Sequence, residues 1–333
     1  MLGLLGLMGA VMAGFMVDAL MARDPEDEAG TDEDAVPEEE AMAAPVEDLA
    51  GLGEMAGHPQ SDDGEEAPDP DLVLQGGGRA DILTGEGGDD RIDGAEGNDL
   101  LGGRGGDDAI AGGAGEDWVH GGEGADSLSG AGGQDDLQGE AGRDWMAGGA
   151  GEDSLAGGGG ADRLEAGAGD DLAMGGQGAD ALLGGRGADA LQGGEGSDTA
   201  LGGAGADTLD GNAGDDSLVA GPGDGAVDFL NGGEGDDHLL LGAGDYGNGG
   251  TGADDFALED IHPGDPVAQI SDFNRDEDRL VLLYDPAHHA DPEVSIVTQA
   301  GSPDATVLLD GVPVAQVLGG AGLKAEDVLL QAA

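Results

Sequence analysis

Apolar residues recur once in every nine positions between Gly76 and Val219, in sixteen consecutive units that keep one frame. The eighth position of the unit is a large aliphatic residue in all units except those with Ala173 and Ala200. One aliphatic side chain between two outward positions is the period-two pattern of a very short strand. Glycines at the first, second and fourth positions favour a tight turn before it. The pattern therefore predicts an all-β parallel roll, in which two units close one coil.

The sixth position of the unit is aspartate in all sixteen repeats. These residues are Asp81, Asp90, Asp99, Asp108, Asp117, Asp126, Asp135, Asp144, Asp153, Asp162, Asp171, Asp180, Asp189, Asp198, Asp207 and Asp216. Stacked coils would hold the carboxylates of one edge roughly 4.8 Å apart, where neighbouring charges repel by about 1 kcal/mol in water and by more in a less polar medium. One aliphatic residue per unit is a small core, so the sequence predicts that a bound cation stabilises the roll.

Calcium is the cation that best fits the available ligands. The turns supply only hard oxygens, from carboxylates and peptide carbonyls, and calcium takes six to eight of them. The chain has no cysteine, and His120 is the one histidine of the sixteen units, which disfavours zinc and copper. A site between the loops of successive coils would use aspartates eighteen residues apart, such as Asp117 and Asp135.

The unit GGxGxDxUx, in which U is aliphatic, resembles the RTX nonapeptide, the haemolysin-type calcium-binding repeat of proteins exported by Gram-negative type I secretion machinery. The resemblance implies a right-handed calcium-binding parallel β-roll, an RTX solenoid, that is disordered without metal and folds outside the cell. Arg79 departs from the pattern at the fourth position, and units such as 85–93 lack the second glycine. These departures are expected to affect individual sites and to leave the fold intact.

The frame changes after Val219, and we expect the roll to span residues 76–257. A twelve-residue unit, 220–231, can still place Asp228 at the sixth position if three residues bulge, and Asp237 follows in a regular unit. In 241–248 we expect Tyr246 to replace the aspartate, so that a site is lost. Unit 249–257 restores Asp254 and brings Phe256 to the inward position, where a large aromatic residue suits a cap.

The N-terminal region divides into two segments. Residues 1–22 are apolar apart from Asp18, and three readings stay open: a membrane-associated helix that attaches the protein to a membrane or the cell surface, an uncleaved segment of unknown role, or a signal peptide. Residues 23–75 are rich in acidic residues and lack a sustained apolar period, which predicts a disordered acidic linker.

The C-terminal segment 258–333 has the composition of an ordinary β-domain. We predict strands at 267–270, 279–283, 294–297, 306–309, 312–317 and 328–330, with Asp310-Gly311 as a two-residue hairpin turn. The stretch ISDFNRDEDRLVLL, 270–283, resembles the segment that follows RTX rolls, and the ending AEDVLLQAA resembles an uncleaved type I export signal. We therefore expect a small C-terminal domain that caps the roll and directs export.

Composition and motifs limit the function. A net charge of −63 with only ten basic residues excludes nucleic-acid binding through a basic patch. HExxH, GxSxG and phosphate-loop motifs are absent from the sequence, and a catalytic role for His288-His289 is disfavoured because adjacent side chains on an extended loop point apart.

We predict a secreted, extracellular calcium-binding protein with a structural, adhesive or matrix role, which is not an enzyme. The alternative is a secreted enzyme with its catalytic residues in the C-terminal β-domain. A third possibility, an ice-binding roll, lacks the regular outward row of Thr or Asn that it would need.

Overall fold

The computed structural model describes residues 69–221, 225–259, 262–289 and 291–332. The predicted apolar segment 1–22 and the predicted linker as far as residue 68 lie outside the described residues. Among the residues that are described, none forms a helix long and apolar enough to cross a membrane.

Successive strands alternate between two sheets, so that each coil of the chain contributes one strand to each sheet. Sheet one contains, in spatial order, β1 (Val73–Gln75), β3 (Arg91–Glu96), β5 (Ala109–Ala114), β7 (Ser127–Gly132), β9 (Trp145–Ala150), β11 (Arg163–Ala168), β13 (Ala181–Arg186), β15 (Thr199–Ala204), β17 (Ser217–Val219), β19 (His238–Leu241), β21 (Asp255–Leu258), β23 (Arg279–Tyr284) and β27 (Val328–Ala332). Sheet two contains β2 (Ile82–Thr84), β4 (Leu100–Gly105), β6 (Trp118–Glu123), β8 (Asp136–Ala141), β10 (Ser154–Gly159), β12 (Leu172–Gln177), β14 (Ala190–Glu195), β16 (Thr208–Ala213), β18 (Phe229–Glu234), β20 (Tyr246–Thr251), β22 (Ala268–Ser271), β26 (Val312–Val317), β25 (Ala305–Leu309) and β24 (Val294–Thr298). The one helical element described is a single 3₁₀ turn, Ala325–Asp327. The all-β parallel roll predicted from the nonapeptide is confirmed.

The strands of the regular coils are six residues long, twice the predicted length. Each runs from the seventh position of one unit to the third position of the next, and inward and outward residues alternate throughout. In β5 both Ile110 and Gly112 face the interior and are buried. The strand continues beyond the aliphatic residue because glycine at the first position has no side chain. The inward side of this glycine can therefore lie directly against the next turn.

The core is a ladder of single aliphatic side chains between the two sheets. The eighth-position residue is buried in fifteen successive units: Ile92, Leu101, Ile110, Val119, Leu128, Leu137, Met146, Leu155, Leu164, Ala173, Leu182, Leu191, Ala200, Leu209 and Leu218. The first such residue, Leu83, is only partly buried because no complete coil precedes it. Each coil therefore buries its apolar residue against its neighbours and depends on them for stability.

The twelve-residue unit is accommodated as predicted. Strand pairing moves from an offset of eighteen residues to one of twenty-one, which sets Leu209 beside Leu230. The N–H of Asp207 donates to Oδ1 of Asp228, as the regular units do. The additional residues therefore lie in the turn and do not disturb the ladder.

The prediction that Tyr246 replaces an aspartate was wrong. The unit is one residue short, and Asp245 takes the sixth position, where it is buried and accepts a hydrogen bond from the N–H of Asp228. Tyr246 is therefore an outward residue, and its ring stacks on that of Phe229 with 4.9 Å between centroids. Gly247 takes the inward position, and the side chains of Leu241 and Phe256 fill the space that an aliphatic residue would occupy. Phe256 is fully buried, in the inward position that was predicted.

The predicted C-terminal strands are present, and they extend the two sheets of the roll. Strands β22 and β23 continue the parallel ladders, and β26 and β27 follow them. The predicted hairpin joins the antiparallel pair β25 and β26, where Asp310 and Gly311 have φ values of 51° and 81°. At the other end β1 pairs with β3, so the ladder begins three residues before residue 76, within the predicted linker.

Candidate calcium sites

All the aspartates of the sixth positions lie in two columns, one along each edge of the roll. The column before the strands of sheet one contains Asp90, Asp108, Asp126, Asp144, Asp162, Asp180, Asp198, Asp216, Asp237, Asp254 and Asp278. The column before the strands of sheet two contains Asp81, Asp99, Asp117, Asp135, Asp153, Asp171, Asp189, Asp207, Asp228 and Asp245. The structure therefore brings together the residues that the sequence predicts as metal ligands and adds Asp245 and Asp278.

Each aspartate is held in place by one of its two carboxylate oxygens. Oδ1 of Asp117 accepts a hydrogen bond from the N–H of Asp99 at 2.9 Å, and Oδ1 of Asp135 accepts one from the N–H of Asp117 at 2.9 Å. The same contact repeats from coil to coil along both columns. Because one oxygen is fixed in this way, the second oxygen of each side chain has a defined direction.

The second oxygen, Oδ2, is buried and lacks a hydrogen-bond donor in fourteen interior aspartates of the described residues. They are Asp99, Asp108, Asp117, Asp126, Asp135, Asp144, Asp153, Asp162, Asp171, Asp180, Asp189, Asp198, Asp216 and Asp237. A buried acceptor without a partner costs about 1–3 kcal/mol, and more when it is charged. Such an array indicates that a bound cation supplies the missing partner.

The ends of the columns differ from the interior in this respect. Oδ2 of Asp81 accepts the N–H of Gly77, and Oδ2 of Asp90 accepts the N–H of Glu86. At the other end the N–H groups of Gly242 and Asn274 donate to Oδ2 of Asp245 and Asp278. The terminal turns therefore fold back on their own aspartates, whereas the interior turns leave the same oxygen available.

Glycine at the first position leaves the space that a cation needs. A Cβ atom built on Gly103 would lie 1.9 Å from Oδ2 of Asp108 and 2.7 Å from the carbonyl oxygen of Gly121 in the next coil. A carboxylate oxygen and a carbonyl oxygen thus face one small space. Nowhere in the described residues do three His, Cys, Asp or Glu side chains converge, so peptide carbonyls or water would complete a site. A set of carboxylates and carbonyls suits calcium.

Comparison with known families agrees with this geometry. RTX calcium-binding nonapeptide repeats match seven adjoining or overlapping segments that together cover residues 73–247, just over half of the 333 residues. The chain belongs to the RTX calcium-binding repeat family. No curated protein sequence is similar enough to the chain to count as a match. The roll is therefore an RTX β-roll, and its repeats bind calcium.

Burial raises the pKa of the column aspartates of this RTX roll from Asp108 to Asp198 and of Asp216 and Asp237. It is the largest cause of the shift, the neighbouring carboxylates raise the pKa further, and the N–H donated by the preceding coil lowers it. The pKa rises to about 6 at Asp126, Asp135, Asp162, Asp189 and Asp198, and to about 7 at Asp237. Ionised carboxylates are thus unfavourable in the metal-free roll, and a bound calcium ion offsets this cost by pairing with them.

Acid is expected to stabilise the metal-free roll and to weaken calcium binding. Because these pKa values are higher in the folded roll than in the unfolded chain, the folded state binds more protons, and its stability falls as pH rises from about 4 to about 7. In chelator, circular dichroism should show more β-structure at pH 5.5 than at pH 7.5. Calcium binding to the folded roll should be roughly fourfold weaker per site at pH 5.5, since protons occupy the same oxygens. The calcium midpoint of folding should not rise, because the carboxylates of the unfolded chain are ionised at both pH values. A β-sheet signal in chelator that does not change with pH would contradict this assignment of the aspartates.

Two column residues were missed by sequence reasoning for different reasons. Asp278 is followed by Arg279 and Leu280, which repeats the Asp-x-aliphatic order of the regular unit, and this signal could have been found. Asp245 is followed by Tyr246 and Gly247 and has no such signal, because Leu241 and Phe256 fill its coil from elsewhere. The adjacent histidines do point apart: Nδ1 of His288 is 2.7 Å from Asp285, and Nδ1 of His289 is 2.6 Å from Asp310.

Proposed function

We propose that this RTX protein is a secreted or cell-surface structural element whose roll folds when calcium binds outside the cell. The observation that carries the proposal is the array of buried carboxylate oxygens in the interior of both columns. Extracellular calcium modules have dissociation constants on the order of 10⁻⁴ to 10⁻³ M, so sites of this kind are empty in the cytosol and filled outside. Folding coupled to binding would then keep the chain unfolded for type I export and fold it after release.

The roll itself is proposed to be the working part of the protein, with a structural, adhesive or matrix role and no catalytic activity. Its two sheets, of thirteen and fourteen strands, give long outer faces that extend from β1 and β2 to the C-terminal strands. The histidines that an enzymatic alternative would use are exposed or half-buried, and each lies beside its own aspartate. Detection of the folded chain in the culture supernatant or on the cell surface tests the proposed location, and its retention in the cytosol would contradict it.

The double substitution Asp117→Asn with Asp135→Asn is expected to raise the calcium midpoint of folding several-fold. Asparagine keeps an oxygen that can accept the N–H of the preceding coil, but it removes the charge that binds the cation. The matched control is Glu116→Gln with Glu152→Gln, which removes two charges from exposed side chains of the neighbouring fifth positions. The midpoint is measured by circular dichroism during calcium titration. Equal shifts in the two variants would mean that net charge, and not the buried carboxylates, sets the affinity.

A further inference from the structure

The outer face of sheet two bears a row of exposed apolar side chains that the calcium sites do not explain. The row consists of seventh-position residues, and its large members include Leu100, Trp118, Leu172, Phe229 and Tyr246. Trp118 is 62% exposed. The corresponding row on sheet one has only Val73 and Trp145 as exposed large apolar residues among those described. Exposed apolar residues in line on one face indicate an interaction surface.

Between β4 and β20 the order of residues along this row is symmetric about Leu172. Outside this range Ile82, which is 76% exposed on β2, would face the partner's Gln269. Trp118 lies three strands before Leu172 in the sheet, on β6, and Phe229 lies three strands after it, on β18. Leu100 and Tyr246 lie four strands before and four strands after, on β4 and β20. The strands between them bear small or polar residues on both sides: Asp136 and Ser154 before Leu172, and Ala190 and Thr208 after it.

We propose that two copies of the chain associate through the outer faces of sheet two, about a two-fold axis that passes through Leu172 parallel to the strands. Rotation about such an axis places the outer face of sheet two in one copy against the same face in the other. Each outward row then lies opposite the same row of the partner subunit, and the strands follow one another in the reverse order. Leu172 then meets Leu172 of the partner subunit, Trp118 meets the partner's Phe229, and Leu100 meets the partner's Tyr246. A self-complementary patch of this kind is what a two-fold dimer requires.

The neighbouring row of ninth-position residues fits the same axis. Met174, which is 38% exposed, lies two residues from Leu172 and would meet its own copy at the centre. Three strands away, His120 would face the partner's Asn231. Two strands away, Gln138 would face the partner's Asp210. These pairs join hydrogen-bond donors to acceptors.

Charge along the face is compatible with the same arrangement, although the chain has 73 acidic residues. In the seventh-position and ninth-position rows the carboxylates of β4 to β20 are Asp136 and Asp210, and the axis sets them opposite Thr208 and Gln138 of the partner subunit. In the second-position row Glu140 would face the partner's Asn212. One like-charged pair, Glu123 and the partner's Glu234, falls at the exposed margin, where water screens it.

The area of the face suits a stable dimer. Strands β4 to β20 span eight gaps of roughly 4.8 Å, and the outward rows are about 15 to 20 Å wide, which gives roughly 600 to 800 Å² on each copy. Specific interfaces bury about 800 Å² on each partner. The central Trp, Phe, Tyr and Leu residues are of the kinds that are enriched at such interfaces.

Cysteine cross-linking of the full-length protein in saturating calcium tests the position of the axis. The chain has no cysteine, so Leu172→Cys introduces one thiol per copy. A bismaleimide that spans about 10 Å, the spacing of two packed sheets, should join two copies through this position, whereas Trp145→Cys, on sheet one and of similar exposure, should leave them unlinked. Light scattering of the unmodified protein should give twice 32.4 kDa. A monomer, or equal cross-linking from both positions, would overturn the proposal.

Charge substitutions test the register of the two faces. Leu172→Glu should abolish the dimer at micromolar protein because it places two carboxylates on the axis, whereas Trp145→Glu should not. Trp118→Lys and Phe229→Glu should each weaken the dimer, and the double variant should restore it, because each new lysine then faces a new glutamate. Circular dichroism in calcium checks that every variant is folded. A folded double variant that stays as weak as the single variants would overturn the proposed register.

Discussion

Removal of calcium is expected to unfold the roll from its first coil to its last. The core supplies one aliphatic residue per nine-residue unit, and the interior columns hold carboxylate oxygens that are buried and lack a donor. Without a cation these groups repel one another along each edge and lose the hydration that they have in the unfolded chain. Each coil also depends on its neighbours, so the loss of the sites should spread through the array.

Circular dichroism and small-angle X-ray scattering in excess chelator at pH 7.5 measure this change. The β-sheet signal should disappear, and the radius of gyration should approach the value of about 65 Å that an unfolded chain of this length would have. Calcium at millimolar concentration should restore the folded state. Magnesium at the same concentration is the control and should fail, because it requires a near-ideal octahedral site and retains its water. A compact β-rich protein in chelator would show that the aliphatic ladder suffices without metal.

Most of the fold could be predicted from the nonapeptide frame, because each nine-residue sequence unit corresponds to one turn and one strand of the structure. Asp at the sixth position and an aliphatic residue at the eighth determine the turn, the inward direction and the column, so regular coils such as those of Asp117 and Asp135 were predictable. The frame fails where a tertiary contact replaces a local one. Gly247 is tolerated at the inward position because the side chains of Leu241 and Phe256 fill its coil. This replacement of a local contact by a tertiary one leaves no pattern in the sequence of the unit itself.

Strand length was underestimated for a related physical reason. Glycine is read from sequence as a turn residue, yet the first-position glycines are buried strand residues whose missing side chain makes room for Oδ2 of an aspartate. The second position shows the converse. Ala95, Arg104 and Glu140 adopt the positive φ expected of glycine there, with values of 80°, 85° and 76°. The missing second glycine in those units therefore leaves the fold unchanged.

The fourth-position glycine of an interior unit is expected to be costly to replace, and Gly178→Ala is the sharpest case. Gly178 has φ of 136°, and a Cβ atom there would lie 1.3 Å from the carbonyl oxygen of Gly160 in the preceding coil. The obstacle is the backbone of the preceding coil and not a flexible side chain, so the two coils would have to separate. We expect a loss of about 3 to 5 kcal/mol in calcium-saturated stability, in the upper range of single substitutions. Thermal unfolding at saturating calcium measures it.

The matched control is Gly132→Ala, which changes the same atoms at a third position. No atom lies within 4 Å of a Cβ built on Gly132, and the residue does not have positive φ. Its substitution should be neutral or stabilise the roll by about 0.4 to 1 kcal/mol, because alanine restricts the unfolded chain. Equal losses of stability in the two variants would mean that glycine matters at both positions only because it makes the chain flexible. A loss confined to Gly178→Ala would show that the close approach of successive coils requires glycine at this position.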